Sequence, residues 1–320
     1  MRRLATLLCA AALAAPAFAQ TPSGGTRVEF ASLDDKLAAE PIFGYLYLPR
    51  EAAPGRPAPA VVLVHGSGGV RDAREGDYGR ALSEAGIAVL AIDSFTPRGI
   101  ASTVDDQTRL SLGQMVRDAF AAAAFLRQQP AIDPARIAVM GMSRGGAVAM
   151  RAADSREQAE ARARLGVGNF KAYVALYPGC STQYRNPRVS GPMLVLIGED
   201  DDYTGVKTCA QYIERIRAAG ANAELKTYPG AAHGFADGDS SSLRRIHLPS
   251  AQNFRDCVFY IEDDGRLVSH AGTPIDPANP RQLMEVARRE CLRQGASVGA
   301  NPQAKARALA DIKAFLASHL

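Results

Sequence analysis

An α/β fold on a mainly parallel sheet is predicted by two features of the sequence. Short apolar runs, each bounded by turn residues, recur along the chain, and stretches with helical periodicity separate them. Strands covered on both faces read as continuous rather than alternating apolar runs. Strand-helix alternation then sets those strands parallel, with helices on both faces.

The elements follow in order. Arg27 to Phe30 and Ile42 to Leu48 form two opening strands, the second ended by Pro49, which has no N–H for a ladder. Residues 51–59, rich in Ala, Pro and Gly, form an exposed loop. Ala60 to Val64, Ile87 to Ile92, Ile137 to Met140 and Ala172 to Leu176 are covered strands, and Met193 to Ile197 and Glu224 to Tyr228 extend the series. Helices are expected at Tyr78 to Glu84, Leu112 to Gln128, Arg144 to Ala153 and Val206 to Ala219, with Ala308 to Leu316 closing the chain. Asp154 to Arg164 alternates acid and base and reads as a solvated helix end. Asp237 to Pro302 breaks the pattern: roughly 65 residues without clear periodicity, far beyond an ordinary connection, are read as an irregular insertion. Because it starts beside His233, it is either a lid over the site or decoration. Glu262-Asp263-Asp264-Gly265 within it lacks the ligand spacing of a calcium loop and reads as a plain turn, so no metal is expected.

Composition limits the function classes. With 320 residues, 47% apolar and 22% charged, the chain is neither disordered nor fibrous nor a small disulfide scaffold. Met1-Arg2-Arg3, the apolar run Leu4 to Ala15 and Ala17-Phe18-Ala19 have the order of a signal peptide, assigned to residues 1–19. One domain, residues 20–320, is expected to follow, in the periplasm or outside the cell. Cys9 does not suit a lipoprotein, since Leu8 is bulky where a small residue is needed. No later run is long enough to span a membrane. Without Arg2 and Arg3 the bases number 35 against 33 acids, a balance that gives nucleic acid no support as a partner.

Four cysteines remain after the leader, an even number suited to an oxidising compartment. Cys180 follows one strand and Cys209 opens the helix after the next, so adjacent strands would bring them together. The expected pairs are Cys180 with Cys209 and Cys257 with Cys291; four free buried thiols are the alternative.

Gly141-Met142-Ser143-Arg144-Gly145 matches G-x-S-x-G between a strand and a helix, where a nucleophile on a tight, strained turn needs small neighbours. Serine attacks only once a base takes its proton and a third group holds that base. His233, in the loop after the last strand, is the candidate base, and Asp201 is the candidate acid, with Asp202 second. The remainder of that acidic turn is expected to cap the following helix. The chain order Ser143, Asp201, His233 is that of α/β-hydrolases. For the oxyanion, the backbone N–H groups of Arg144 and of Ser67, in the glycine-rich loop His65-Gly66-Ser67-Gly68-Gly69, are the expected donors. That loop has neither the lysine of a P-loop nor a full dinucleotide fingerprint, so a nucleotide is not expected.

Together with Asp93-Ser94-Phe95-Thr96-Pro97-Arg98-Gly99 and Tyr177-Pro178-Gly179-Cys180, these motifs resemble the dienelactone hydrolase family of α/β-hydrolases over roughly residues 40 to 236 and the last helix. The resemblance implies a cofactor-free hydrolase of small-molecule carboxylic esters or lactones. Family members that act on dienelactone carry Cys as nucleophile; Ser143 at the matching position points instead to a serine esterase. Arg98 is a candidate for a substrate carboxylate, with a loop-holding ion pair as the alternative. Two further functions compete: amide or peptide hydrolysis by the same three residues, and a non-catalytic binding protein on a hydrolase fold.

Overall fold

The computed structural model describes residues 22–33, 41–238 and 242–320, so the expected signal peptide lies outside the described residues. Its centre is an eight-stranded sheet made of β1 (Thr26–Phe30), β2 (Ile42–Tyr47), β3 (Ala58–Val64), β4 (Ala88–Asp93), β5 (Ile132–Met142), β6 (Tyr173–Leu176), β8 (Met193–Gly198) and β9 (Ala223–Tyr228); the short β7 (Thr182–Tyr184) stands apart from it. The order across the sheet is β1-β2-β4-β3-β5-β6-β8-β9. From β4 to β9 all neighbours run parallel, while β2 is antiparallel to both β1 and β4. Every residue of β4, β6 and β8 is buried, as continuous apolar runs require.

The helices are α1 (Asp77–Ser83), α2 (Leu112–Arg127), α3 (Arg144–Ala152), α4 (Ser155–Leu165), α5 (Val206–Ala218), α6 (Pro280–Glu290) and α7 (Pro302–His319). On one face α2, α3 and α4 touch one another. On the other, Lys305 of α7 reaches Asp77 of α1 at 2.8 Å. Strand β5 starts at Ile132, five residues before the expected Ile137, and two helices differ from the sequence reading. Helix α4 is an element in its own right, started by the Asp154 side chain, which accepts the Arg156 N–H. Helix α7 starts earlier, at Pro302, because Asn301 caps it and proline suits a first turn.

The insertion is not irregular. It contains β10 (Ile246–Asn253), β11 (Phe259–Ile261), β12 (Leu267–Ser269), β13 (Pro274–Ile275), α6 and β14 (Arg293–Val298). Strands β10 and β14 form an antiparallel ribbon, and β13-β12-β11 join β7 in a second small sheet. Phe259, Ile275, Val286 and Ala287 form a separate small core around Cys257. Residues 262–265 make the turn between β11 and β12, with Gly265 N–H donating to the Glu262 carbonyl. Both expected disulfides are present, Cys180–Cys209 and Cys257–Cys291. The first ties the segment after β6 to α5, and the second closes the insertion.

Candidate active site

The loops after β3, β5, β6, β8 and β9 gather at the carboxyl ends of the parallel strands, where ligands of open α/β sheets bind. Ser143 stands alone between β5 and α3 with φ 55° and ψ −114°, a conformation that L-residues rarely adopt. The residues two positions away on either side are glycines for a steric reason. A Cβ at Gly141 would lie 2.0 Å from the Gly145 carbonyl oxygen, and one at Gly145 would lie 2.1 Å from that of Val64. The turn therefore closes only without side chains at both positions.

His233 Nε2 lies 2.9 Å from Ser143 Oγ, and His233 Nδ1 lies 2.9 Å from Asp201 Oδ2. Both His233 and Asp201 are buried. Asp201 also accepts from the N–H groups of Tyr203 and Thr204 and from Thr204 Oγ1 at 2.9 to 3.0 Å. Burial pushes its carboxyl up, but the neighbouring His233 and these donors outweigh burial and hold it below the ordinary range. Asp202, the second candidate, points elsewhere and accepts the Ser297 N–H at 2.7 Å. Tyr177 and Tyr203 set their ring edges against the imidazole, with centroids 5.0 and 4.8 Å away.

The loop His65 to Gly69 lies directly against Ser143, since a Cβ at Gly66 would come within 3.3 Å of Ser143 Cβ. His65 is buried, and burial lowers its pKa, so it is neutral. Its Nδ1–H donates to the Gly66 carbonyl, and its Nε2 accepts the Ser94 N–H. This imidazole braces the loop. Arg74 braces it from the other side, donating to the Gly69 carbonyl at 2.6 Å and to Asp237 at 3.0 Å, while Tyr177 Oη donates to the same Asp237 at 2.7 Å. Ser67 accepts at its carbonyl from the Thr103 N–H, and its Oγ meets Gln107. The Arg144 N–H opens α3, at the positive end of the helix dipole.

The side chain of Arg144 turns away from Ser143, donating to Gln107 Oε1 at 2.6 Å and to the Leu110 carbonyl. Burial, only partly offset by Tyr203 and Asp106, brings its guanidinium down to about 10, leaving it cationic at neutral pH. For Arg98 the structure favours the alternative. Its guanidinium forks onto buried Asp118 at 2.8 and 2.9 Å and donates to the Ser94 carbonyl, so the expected role with a substrate carboxylate gives way to an ion pair that holds the loop.

Sequence reasoning quoted Tyr177 within a motif without giving it a role, and missed Thr204, Gln107, Arg74 and Asp237. Of the four missed, Thr204 had a signal. Asp93-Ser94-Phe95-Thr96 and Asp201-Asp202-Tyr203-Thr204 share an Asp-x-x-Thr spacing, and in both the aspartate gathers two N–H groups and the threonine hydroxyl.

The sequence profile of the dienelactone hydrolase family matches residues 42–253. A protein of Bradyrhizobium sp named probable 2-oxo-3-(5-oxofuran-2-ylidene)propanoate lactonase is 25% identical over 65% of this chain and 85% of its own length. Thiohydrolase aneE of Aspergillus aculeatus is 29% identical over 48% of this chain and 44% of its own. Among solved structures, esterase 2 of Thermogutta terrifontis superposes with a TM-score of 0.55 at 20% identity, covering 70% of this chain and 89% of that one. The chain belongs to the dienelactone hydrolase family and is a hydrolase of the α/β-hydrolase fold.

Proposed function

We propose that the protein is an exported serine hydrolase that cleaves carboxylic esters or lactones through an acyl-enzyme. The observation that carries this reading is the unbroken chain of hydrogen bonds from Ser143 Oγ through His233 to Asp201. Ser143 Oγ attacks the ester carbonyl as its proton passes to His233 Nε2. Asp201, ionised and held by Thr204, keeps the imidazole in the required tautomer and stabilises the imidazolium. The tetrahedral oxyanion takes the N–H groups of Arg144 and Ser67. Collapse breaks the carbon–oxygen bond, and the leaving alcohol takes the proton from Nε2. Water then repeats the sequence on the acyl-Ser143, releasing the acid and restoring the hydroxyl. In a lactone the alcohol stays tethered, and the product is a hydroxy acid. The names of the relatives, a lactonase and a thiohydrolase, describe acyl transfers that fit this chemistry. Export is supported by the leader-like sequence and by two disulfides, which persist in oxidising compartments.

Kinetics on matched p-nitrophenyl esters and p-nitroanilides test the reading. The wild type should turn over the esters in preference to the anilides, and Ser143→Ala should lose activity by about four orders of magnitude or more while keeping its circular dichroism. Undiminished turnover in the folded variant contradicts it.

A further inference from the structure

The cavity above Ser143 extends well beyond the reacting centre. Its volume is about 1060 Å³, and its lining joins Ser143 to the insertion. Phe254, Phe259, Leu283 and Met284 make an apolar wall on the insertion side, while Arg117 of α2 and Arg151 of α3 line it opposite. Arg151 lies seven positions after Arg144 along α3, so it stands about 10 Å down the helix from its start beside Ser143.

Gly113 marks where these two arginines converge. A Cβ there would lie 3.6 Å from Arg151 Nη2 and 3.7 Å from Arg117 Nη1. Arg151 is paired through Nε with Glu157, which also accepts from Tyr184 Oη. The Arg117 side chain has no hydrogen bond or ion pair among the described residues. Arg117, Arg151 and Glu157 together therefore leave one uncompensated positive charge facing the cavity. Of the other charged residues in the lining, Arg98 is neutralised by Asp118, Arg109 and Arg144 donate to neutral acceptors, and Asp276 is exposed and turned to the Ala278 N–H.

We propose that this is an anion subsite: the substrate carries a carboxylate about 10 Å from its scissile carbonyl, received by Arg117 and Arg151, with an apolar linker against the insertion wall. A single carboxylate matches the local balance of Arg117, Arg151 and Glu157, and the cationic Arg109 and Arg144 elsewhere in the lining add to the attraction for an anion. The assignment of the scissile end rests on the serine hydrolase reading; the subsite itself rests on the cavity.

Two measurements separate the claims. The first uses Ser143→Ala protein and needs no catalysis: calorimetric binding of monomethyl suberate against neutral dimethyl suberate. Monomethyl suberate should bind about tenfold or more tighter, and Arg117→Gln in the same background should bring the two together. The second compares kcat/KM of wild type for p-nitrophenyl hydrogen suberate and its neutral methyl ester, and for 8-acetoxyoctanoate and its methyl ester, so that the charge sits on the acyl and then on the alcohol side. In one pair or the other the acid should be favoured about tenfold, with Arg117→Gln bringing the ratio near one. Because the Arg117 side chain holds no partner among the described residues, its substitution stays interpretable even if Arg151→Gln, which strands buried Glu157, destabilises the protein. Equal binding of acid and neutral probes, or an acid preference that survives Arg117→Gln, overturns the subsite. Binding selectivity with no turnover of any ester would retain the subsite and overturn the hydrolase reading instead.

Discussion

At the scale of single residues, the site depends on backbone that tolerates no side chain and on one carboxylate kept ionised. A Cβ at Gly145 would meet the Val64 carbonyl at 2.1 Å, and backbone cannot give way as a flexible side chain would. Gly145→Ala should therefore cost about 3 kcal/mol or more, read as a lowered thermal midpoint. Asp201 invites a pH test. Its folded pKa is depressed, so it contributes stability that is complete above its unfolded value of about 4 and lost as pH falls through the folded one. The gap in urea midpoint between wild type and Asp201→Asn should thus narrow as pH is lowered from neutral towards about 3. At neutral pH the same variant should lose about four orders of magnitude in kcat, because the imidazole loses its orienting partner.

At the scale of elements, the insertion clamps the site. Gly299 N–H, just past β14, donates to the His233 carbonyl at 2.9 Å, and Asn301 N–H donates to that of Phe235. Ser297 N–H of β14 holds the Asp202 carboxylate, and Asn253 of β10 bridges the carbonyls of Asp202 and Gly295. The ribbon thus grips both the acid loop and the histidine loop, and Cys257–Cys291 fastens its base. Replacing both cysteines by Ala should lower stability by about 2–4 kcal/mol and also lower kcat, measured on the same ester, because the clamp is loosened. An unchanged kcat in a destabilised variant would show that the ribbon is mere decoration. The ribbon was illegible in the sequence for a physical reason. Strand β10 is largely exposed and carries His247, Pro249, Ser250 and Gln252, and β14 reads Arg-Gln-Gly-Ala-Ser-Val, so neither shows an apolar run or a clean alternation. Helix α6 did leave a trace that went unread, with Asn279 as cap, Pro280 in the first turn and Leu283, Met284, Val286 and Ala287 at helical spacing. The covered strands of the main sheet, by contrast, advertise themselves because both faces are buried. Ser143 and Asp201 were legible because each follows such a strand, and His233 because its small, flexible loop follows the last strand of the series, β9, although β9 is only partly buried. Arg117 and Arg151 were not, since a charge on a helix is ordinarily a solvated one.

At the scale of the whole molecule, a large core around the main sheet carries the site on its rim, and a second, smaller core completes the cavity from above. The difference in size implies a difference in local stability. Amides of β3, β5 and β6 should exchange with deuterium near the rate of global unfolding, and those of β10, β11 and β12 faster, most of all in reducing buffer. Equal protection throughout would mean that the insertion and the sheet unfold as one unit. On the proposed reading the division of labour is also functional: the sheet sets Ser143, Asp201 and His233, and the insertion supplies an apolar wall of the cavity. Reaction of the native protein with a fluorophosphonate, followed by intact mass and peptide mapping, tests the central claim most directly. One adduct per chain on Ser143, absent in His233→Ala, is the expected result; a folded protein that stays unlabelled, or is labelled at another serine, would contradict the account.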